Sequence, residues 1–267
     1  MGVSVDMPAS HSVSASLPRL LRQRLSALML ATSLGLAAPV AMAQSLPPPD
    51  IGGRSWFLFD VSTNTVLYSQ APDERVEPAS LTKLMTAYVV FEALRDGTLN
   101  MDTRPPVSQA AYKAIGSRMF VDPRKPATVD ELLHGLIIQS GNDAAIILAE
   151  AVSGSEEAFA QQMNAEARRI GMKNSHFVNA SGLPAPEHYS TARDMALLAT
   201  RIIKEFPDYY RMYSEKEYTF NGVRQPNRNR LLYIDPSVDG MKTGRRVAKR
   251  PDDFEARRIT PPAYTGR

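Results

Sequence analysis

The segment from Pro78 to Gly97 restricts the fold more than any other. Leu84, Met85, Tyr88, Val89, Phe91 and Leu94 recur at helical spacing, and Gly97 supplies a stop. An apolar face this wide has to be covered, so the pattern predicts a buried helix from Pro78 to Leu94. Upstream, Ser55–Asp60 and Thr65–Ser69 are apolar-rich runs joined by Val61-Ser62-Thr63-Asn64, which reads as a β-hairpin. Thr128 and Glu131 have capping-box spacing ahead of a helix over Leu132–Ile138. Further helices are expected over Ala144–Val152, from a Ser155 cap to Arg169 with Gly171 as its stop, and from Thr191 to Lys204. Val238–Thr243 returns to strand character. A hairpin, then helices, then a strand is an α+β order rather than an alternating βαβ one.

The 267 residues, 43% hydrophobic and 22% charged, supply enough apolar mass for one sizeable core. There is no cysteine, which excludes a disulfide framework, a thiol nucleophile and a zinc-thiolate site. The formal charge of +3 is carried by the ends of the chain. Residues 1–43 hold three Arg against one Asp, and residues 245–267 hold seven Lys/Arg against three Asp/Glu, which leaves residues 44–244 at −3. A mildly acidic folded part gives no support to a nucleic-acid partner. At the N-terminus Arg19, Arg22 and Arg24 precede a stretch without charge from Leu25 to Ala43, closed by Ala41-Met42-Ala43. This reads as an export signal over residues 1–43, followed by a short linker over 44–53, and it predicts a periplasmic or cell-envelope protein.

Three short motifs can carry chemistry. In Pro78-Ala79-Ser80-Leu81-Thr82-Lys83, a hydroxyl and an amine three residues apart at a helix head share one face. Ser80 could act as a nucleophile with Lys83 as its base if burial or cationic neighbours depress the amine's pKa. The Ser80 amide at the helix start would then face a developing oxyanion. The alternative is a helix cap followed by a solvated lysine, and about one Ser-x-x-Lys is expected by chance in a chain of this size. Ser140-Gly141-Asn142 offers a hydroxyl to relay a proton and an amide to hold a carbonyl, or else it is a helix-ending turn with Gly141 left-handed. In Asp239-Gly240-Met241-Lys242-Thr243-Gly244, a strand presenting Lys242 and Thr243 outward suits a terminal carboxylate, or else it is a strand end with a solvated lysine. His134, His176 and His188 lack partners at metal-ligand spacing and read as packing or surface residues. Asp143 and Glu166 are too weakly placed to be named as bases.

Ser80, Ser140 and Lys242 follow one another at intervals of 60 and 102 residues. In that order the motifs resemble the Ser-x-x-Lys, Ser-x-Asn and Lys-Thr-Gly set of the penicillin-recognising serine enzymes. Within that group the chain is similar to the serine D-alanyl-D-alanine carboxypeptidases, the low-molecular-mass penicillin-binding proteins of peptidase family S11, over about residues 50–244. Gly141, where class A β-lactamases carry Asp, favours the carboxypeptidase branch. The resemblance implies a helical cluster packed on an antiparallel sheet, with the domain spanning 54–244. It implies Ser80 as nucleophile, Lys83 as proton acceptor, Ser140 as proton relay and Asn142 as orienting group, with Lys242, Thr243 and Gly244 binding substrate. It also implies stem peptides ending in D-Ala-D-Ala as substrate, β-lactams as inhibitors, and neither metal nor cofactor.

Beyond Gly244 the pattern departs from the family. Its His-Thr, two further strands and closing helix are replaced by an arginine- and proline-rich run from Arg245, and its membrane anchor is not legible. Residues 245–267 therefore read as an aberrant, disordered, truncated or frameshifted end, which would leave Val238–Thr243 without a partner strand. The amide that normally supplies a second oxyanion donor falls on Arg245. An inactive remnant, a non-catalytic stem-peptide binder and a β-lactamase are the rival readings.

Overall fold

In the computed structural model the segment Thr82–Arg95 is helix α1, and every residue from Thr82 to Ala93 is buried. The structure describes residues 51–244 and the strand 255–259. The expected export signal, the linker up to residue 50, and residues 245–254 and 260–267 lie outside the described residues.

Helix α1 is buried on all sides because the other helices surround it. Helix α2 (Val129–His134) runs into a π-helical turn, Gly135–Gln139, so the single helix expected over Leu132–Ile138 starts earlier and changes winding. The Thr128 hydroxyl and the Glu131 carboxylate form the predicted capping box at its start. Helix α3 (Asn142–Ser153), α4 (Glu156–Ile170) and α5 (Ala192–Glu205) all pack on α1. Gly154 (φ +78°) and Gly171 (φ +92°) close α3 and α4 in the left-handed conformation a C-terminal glycine permits. Ser155 and Thr191 cap α4 and α5 through their side chains.

The polar groups of α1 are satisfied within this shell. Tyr88 donates to Glu205 Oε2 at 2.7 Å, while Arg169 donates to the Tyr88 hydroxyl at 2.8 Å and pairs with Glu92. Burial, and then the neighbouring Glu166, raise the Glu92 carboxyl to about 7.

Strands β1 (Trp56–Asp60) and β2 (Thr65–Gln70) form the expected hairpin, which packs on α5. A second hairpin, β3 (Glu217–Phe220) with β4 (Val223–Pro226), was not anticipated. Its turn is Asn221-Gly222 with φ +48° and +76°, the Asn-Gly pair such a turn favours.

Strand β5 (Val238–Thr243) packs against the 3₁₀ turn Ala79–Leu81 that leads into α1. The expectation that it lacks a partner is corrected. Strand β6 (Glu255–Ile259) pairs with it antiparallel, Met241 opposite Arg257 and Thr243 opposite Glu255. Ladder hydrogen bonds are made by main-chain groups, so a segment without apolar alternation can still supply them. Ending the chain after Gly244 would remove this ladder. At roughly 0.5–1.5 kcal/mol per net hydrogen bond, about 2–4 kcal/mol of stability should be lost, measured as a lower urea midpoint than that of the full chain.

Candidate active site

The site is built where the head of α1, the head of α3 and the end of β5 meet. Ser80 does not sit in the α-helix itself but in the 3₁₀ turn before it, half-buried, and follows Ala79 at φ +47°. A left-handed alanine is strained, and here it aims the hydroxyl of the next residue into a cleft of about 470 Å³. Ser80, Ser140, Asn142, Arg228 and Thr243 all line that cleft.

Lys83, one turn into the helix, is 1% exposed. Its Nζ donates to Asn142 Oδ1 at 2.7 Å and to the Ser181 carbonyl at 2.5 Å. Burial, and next the charge of Lys242, hold its pKa well below the ordinary lysine value; Asp143 opposes them. The condition that the sequence left open for Lys83 is therefore met by its surroundings. A neutral amine has two hydrogens and one lone pair. With both hydrogens committed, the lone pair is what remains to accept a proton.

The Ser140-Gly141-Asn142 turn corrects the conformation expected of it. Ser140, not Gly141, is left-handed (φ +65°), and Gly141 is extended at φ −63°. The turn ends the π-helical segment and starts α3 immediately, leaving Asn142 at the head of that helix. Asn142 Nδ2 donates to the Ile115 carbonyl at 2.6 Å, which fixes the amide with its oxygen toward Lys83. The buried Ser140 Oγ has no hydrogen-bond partner among the described residues. Asp143 is a structural clamp: its carboxylate accepts from the amides of Met119 at 3.0 Å and Phe120 at 2.8 Å.

Lys242 differs from expectation. It is 2% exposed, and its amine donates to the Thr243 carbonyl at 2.9 Å instead of pointing outward. Burial, then the Arg228 charge, lower its pKa to about 7. Thr243 faces the cleft, while Gly244 is buried just beyond the strand.

Three contributors were not read from the sequence. Arg228 brings a guanidinium to the cleft, held by the Gln139 carbonyl at 2.9 Å and Ser117 Oγ at 3.0 Å. Ser181 and Gly182 line the same cleft. A buried His188 lies 2.8 Å from Thr82 Oγ1. No local motif marks these residues, because each acts through a partner far away in sequence. The other two described histidines are packed: His134 bonds the Asp130 carbonyl and stacks on Tyr218, and His176 bonds the Glu187 carbonyl.

A family profile described as D-alanyl-D-alanine carboxypeptidase matches residues 41–249. The D-alanyl-D-alanine carboxypeptidase DacC of Escherichia coli is 45% identical over 221 residues, covering 79% of this chain and 55% of that protein. A D-alanyl-D-alanine carboxypeptidase from a Streptomyces species is 31% identical, covering 82% and 79% respectively. Penicillin binding protein 5 from Haemophilus influenzae matches with a TM-score of 0.72 at 41% identity, over 74% of this chain and 59% of that one. Penicillin-binding protein D2 from Listeria monocytogenes, solved in an ampicillin-bound form, matches with a TM-score of 0.68 at 27% identity, over 78% and 88%. The fold is thus the α+β penicillin-binding-protein fold read from the motifs. The chain spans about half the length of the first curated relatives it matches.

Gly182 offers a direct test of how tightly the walls are joined. A Cβ there would lie 1.8 Å from the Ala79 carbonyl oxygen, at a backbone φ of +83°. Gly182→Ala should displace the Ala79–Leu81 turn. It should also cost about 2 kcal/mol or more, from left-handed strain and overpacking together, measured by urea unfolding.

Proposed function

The chain belongs to the D-alanyl-D-alanine carboxypeptidase family, and we propose on that basis that it removes the terminal D-alanine from peptidoglycan stem peptides through an acyl-enzyme on Ser80. The carrying observation is Lys83: a fully buried amine, depressed in pKa, with both hydrogens held by Asn142 and Ser181 beside the turn that bears Ser80.

The chemistry follows from these positions. Ser80 Oγ attacks the carbonyl carbon between two D-alanines as Lys83 takes the hydroxyl proton. Negative charge gathers on the carbonyl oxygen, for which the Ser80 amide at the helix start is a donor. As the C–N bond breaks, the departing D-alanine needs a proton on its nitrogen. The buried Ser140 hydroxyl, without a hydrogen-bond partner among the described residues, is suited to relay it from Lys83. Water then attacks the ester, breaking the C–Oγ bond, and the proton returns to Ser80. The substrate's terminal carboxylate is best received by Thr243 and by Arg228, whose planar guanidinium matches a carboxylate's two oxygens. Lys242 acts from within the wall, where its charge also depresses Lys83. A β-lactam presents the same acylation target, and it would remain on Ser80 if its acyl-enzyme deacylates slowly.

The location follows from the same reading. Arg19, Arg22 and Arg24 before a stretch without charge support export to the cell envelope, where this substrate is found.

Labelling the full chain with a fluorescent penicillin should modify Ser80, detected by gel and peptide mass. Ser80→Ala should lose the label and release no D-alanine from a D-Ala-D-Ala peptide. Label on the wild type without D-alanine release would identify a non-catalytic binder; rapid turnover of the penicillin itself would identify a β-lactamase.

The rate of Ser80 acylation should also depend on pH through Lys83, which acts only as the free amine. The folded pKa lies below the ordinary value of 10.5, so the acid limb of the rate profile should fall well below 10.5. A limb at the ordinary lysine value would remove Lys83 from the role of base.

A further inference from the structure

His188 lines the cleft yet belongs to none of the three motifs, and the steps above do not use it. The ring is 4% exposed, and both nitrogens are engaged. The Val178 amide donates to Nδ1 at 3.0 Å, so Nδ1 bears no proton. Nε2 must then carry the hydrogen and donate to Thr82 Oγ1 at 2.8 Å. Thr82 stands between Ser80 and Lys83 in the chain.

The segment that His188 grips is the one holding the Lys83 amine. Phe177 is fixed at its amide and carbonyl by Asn164, at 2.8 and 2.7 Å. The Ala180 amide bonds Glu156 Oε1 at 2.9 Å, and the Ala180 carbonyl accepts from Thr86 Oγ1 at 2.7 Å. Asn179 Oδ1 accepts from the Gly182 amide at 2.7 Å. The Ser181 carbonyl, thus fixed on both sides, accepts from Lys83. Of these anchors, His188 ties the strap to the helix head beside the reacting pair.

We propose that His188 is a positioning residue, a neutral bridge from the Val178 amide to the Thr82 hydroxyl that sets the Ser181 carbonyl against the Lys83 amine and takes no proton in the reaction. This rests on the carboxypeptidase reading for its kinetic consequence, but not for its geometry. The lone pair a base would need is already used by Val178. An imidazolium would set two N–H groups against each other at that contact. Burial first, and then His176, push the ring down to about 4, while Glu77 acts in the opposite sense, so geometry and solvation favour the same neutral form at pH 7.

Glutamine can replace both contacts, accepting through Oε1 and donating through Nε2; leucine can replace neither. The acylation rate of Ser80 by fluorescent penicillin should fall about ten-fold or more in His188→Leu, since small misplacements at a reacting pair are costly. In His188→Gln it should stay within about three-fold of wild type, with the acid limb assigned to Lys83 unmoved. A wild-type rate in His188→Leu, or a His188→Gln as slow as His188→Leu at equal thermal stability, would overturn the proposal. If wild type takes no label on Ser80, the carboxypeptidase reading has failed, and nitrogen NMR of the full chain decides this one alone. A ring protonated at Nε2 at pH 7, with a slowly exchanging Val178 amide, is the expected result. A proton on Nδ1, or an unprotected Val178 amide, would refute it, and the same spectra decide if His188→Leu does not fold.

Discussion

The burial of the Lys83 amine is the constraint around which the rest of the molecule is arranged. An ammonium ion moved from water into a dry interior loses several kcal/mol of solvation unless it is paired, and among the described residues no carboxylate bonds this one. It is given carbonyl oxygens instead, one from an amide side chain and one from the backbone. Those partners stabilise the site without pinning the charge in place, as a hydrogen-bonded carboxylate would. The amine is thus held by dipoles and by no counter-ion, and burial keeps its pKa well below the ordinary lysine value.

Each wall of the cleft is determined by that requirement. Asn142 can aim its oxygen at Lys83 because Ile115 takes its nitrogen, and the loop carrying Ile115 and Ser117 is tied down by Asp143 through the amides of Met119 and Phe120. Ser181 can present its carbonyl because Gly182 lets two backbones approach more closely than any side chain would allow. Ala79 and Ser140 adopt left-handed conformations that cost about 1–2 kcal/mol each, both beside residues whose direction matters to the cleft. Strain is stored where side chains must be aimed, and the buried α1 packing offsets it.

The sequence exposed the parts of this design that are local. The apolar spacing of α1, the Thr128–Glu131 capping box and the Ser155 and Thr191 caps each depend on neighbours within a few residues, and each was found where the pattern put it. The Asn221-Gly222 turn was equally local and equally legible, but the short strands beside it did not stand out. What could not be read is contact across the chain. His188 meets Thr82 from 106 positions away and Ser181 meets Lys83 from 98, and no periodicity encodes such pairs. Strand alternation puts Lys242 and Thr243 on opposite faces, so both could not point outward as expected; Thr243 faces the cleft and Lys242 lies inward. Partner choice at β5 depends on main-chain groups, so side-chain pattern gave no warning of β6.

The buried position of Lys242 changes what the third motif contributes. An outward lysine would be a permanent cation waiting at the strand end. An inward one whose pKa has fallen to about 7 is divided between two protonation states near neutrality, and its charged form works against a proton on Lys83. Arg228 pushes in the same direction on both amines. Each amine is thus pushed toward its neutral form, by burial first and by a neighbouring cation next. The two amines are linked in this way because neither reaches water: at 1% and 2% exposure, the charge of Lys242 is felt at Lys83 with little screening.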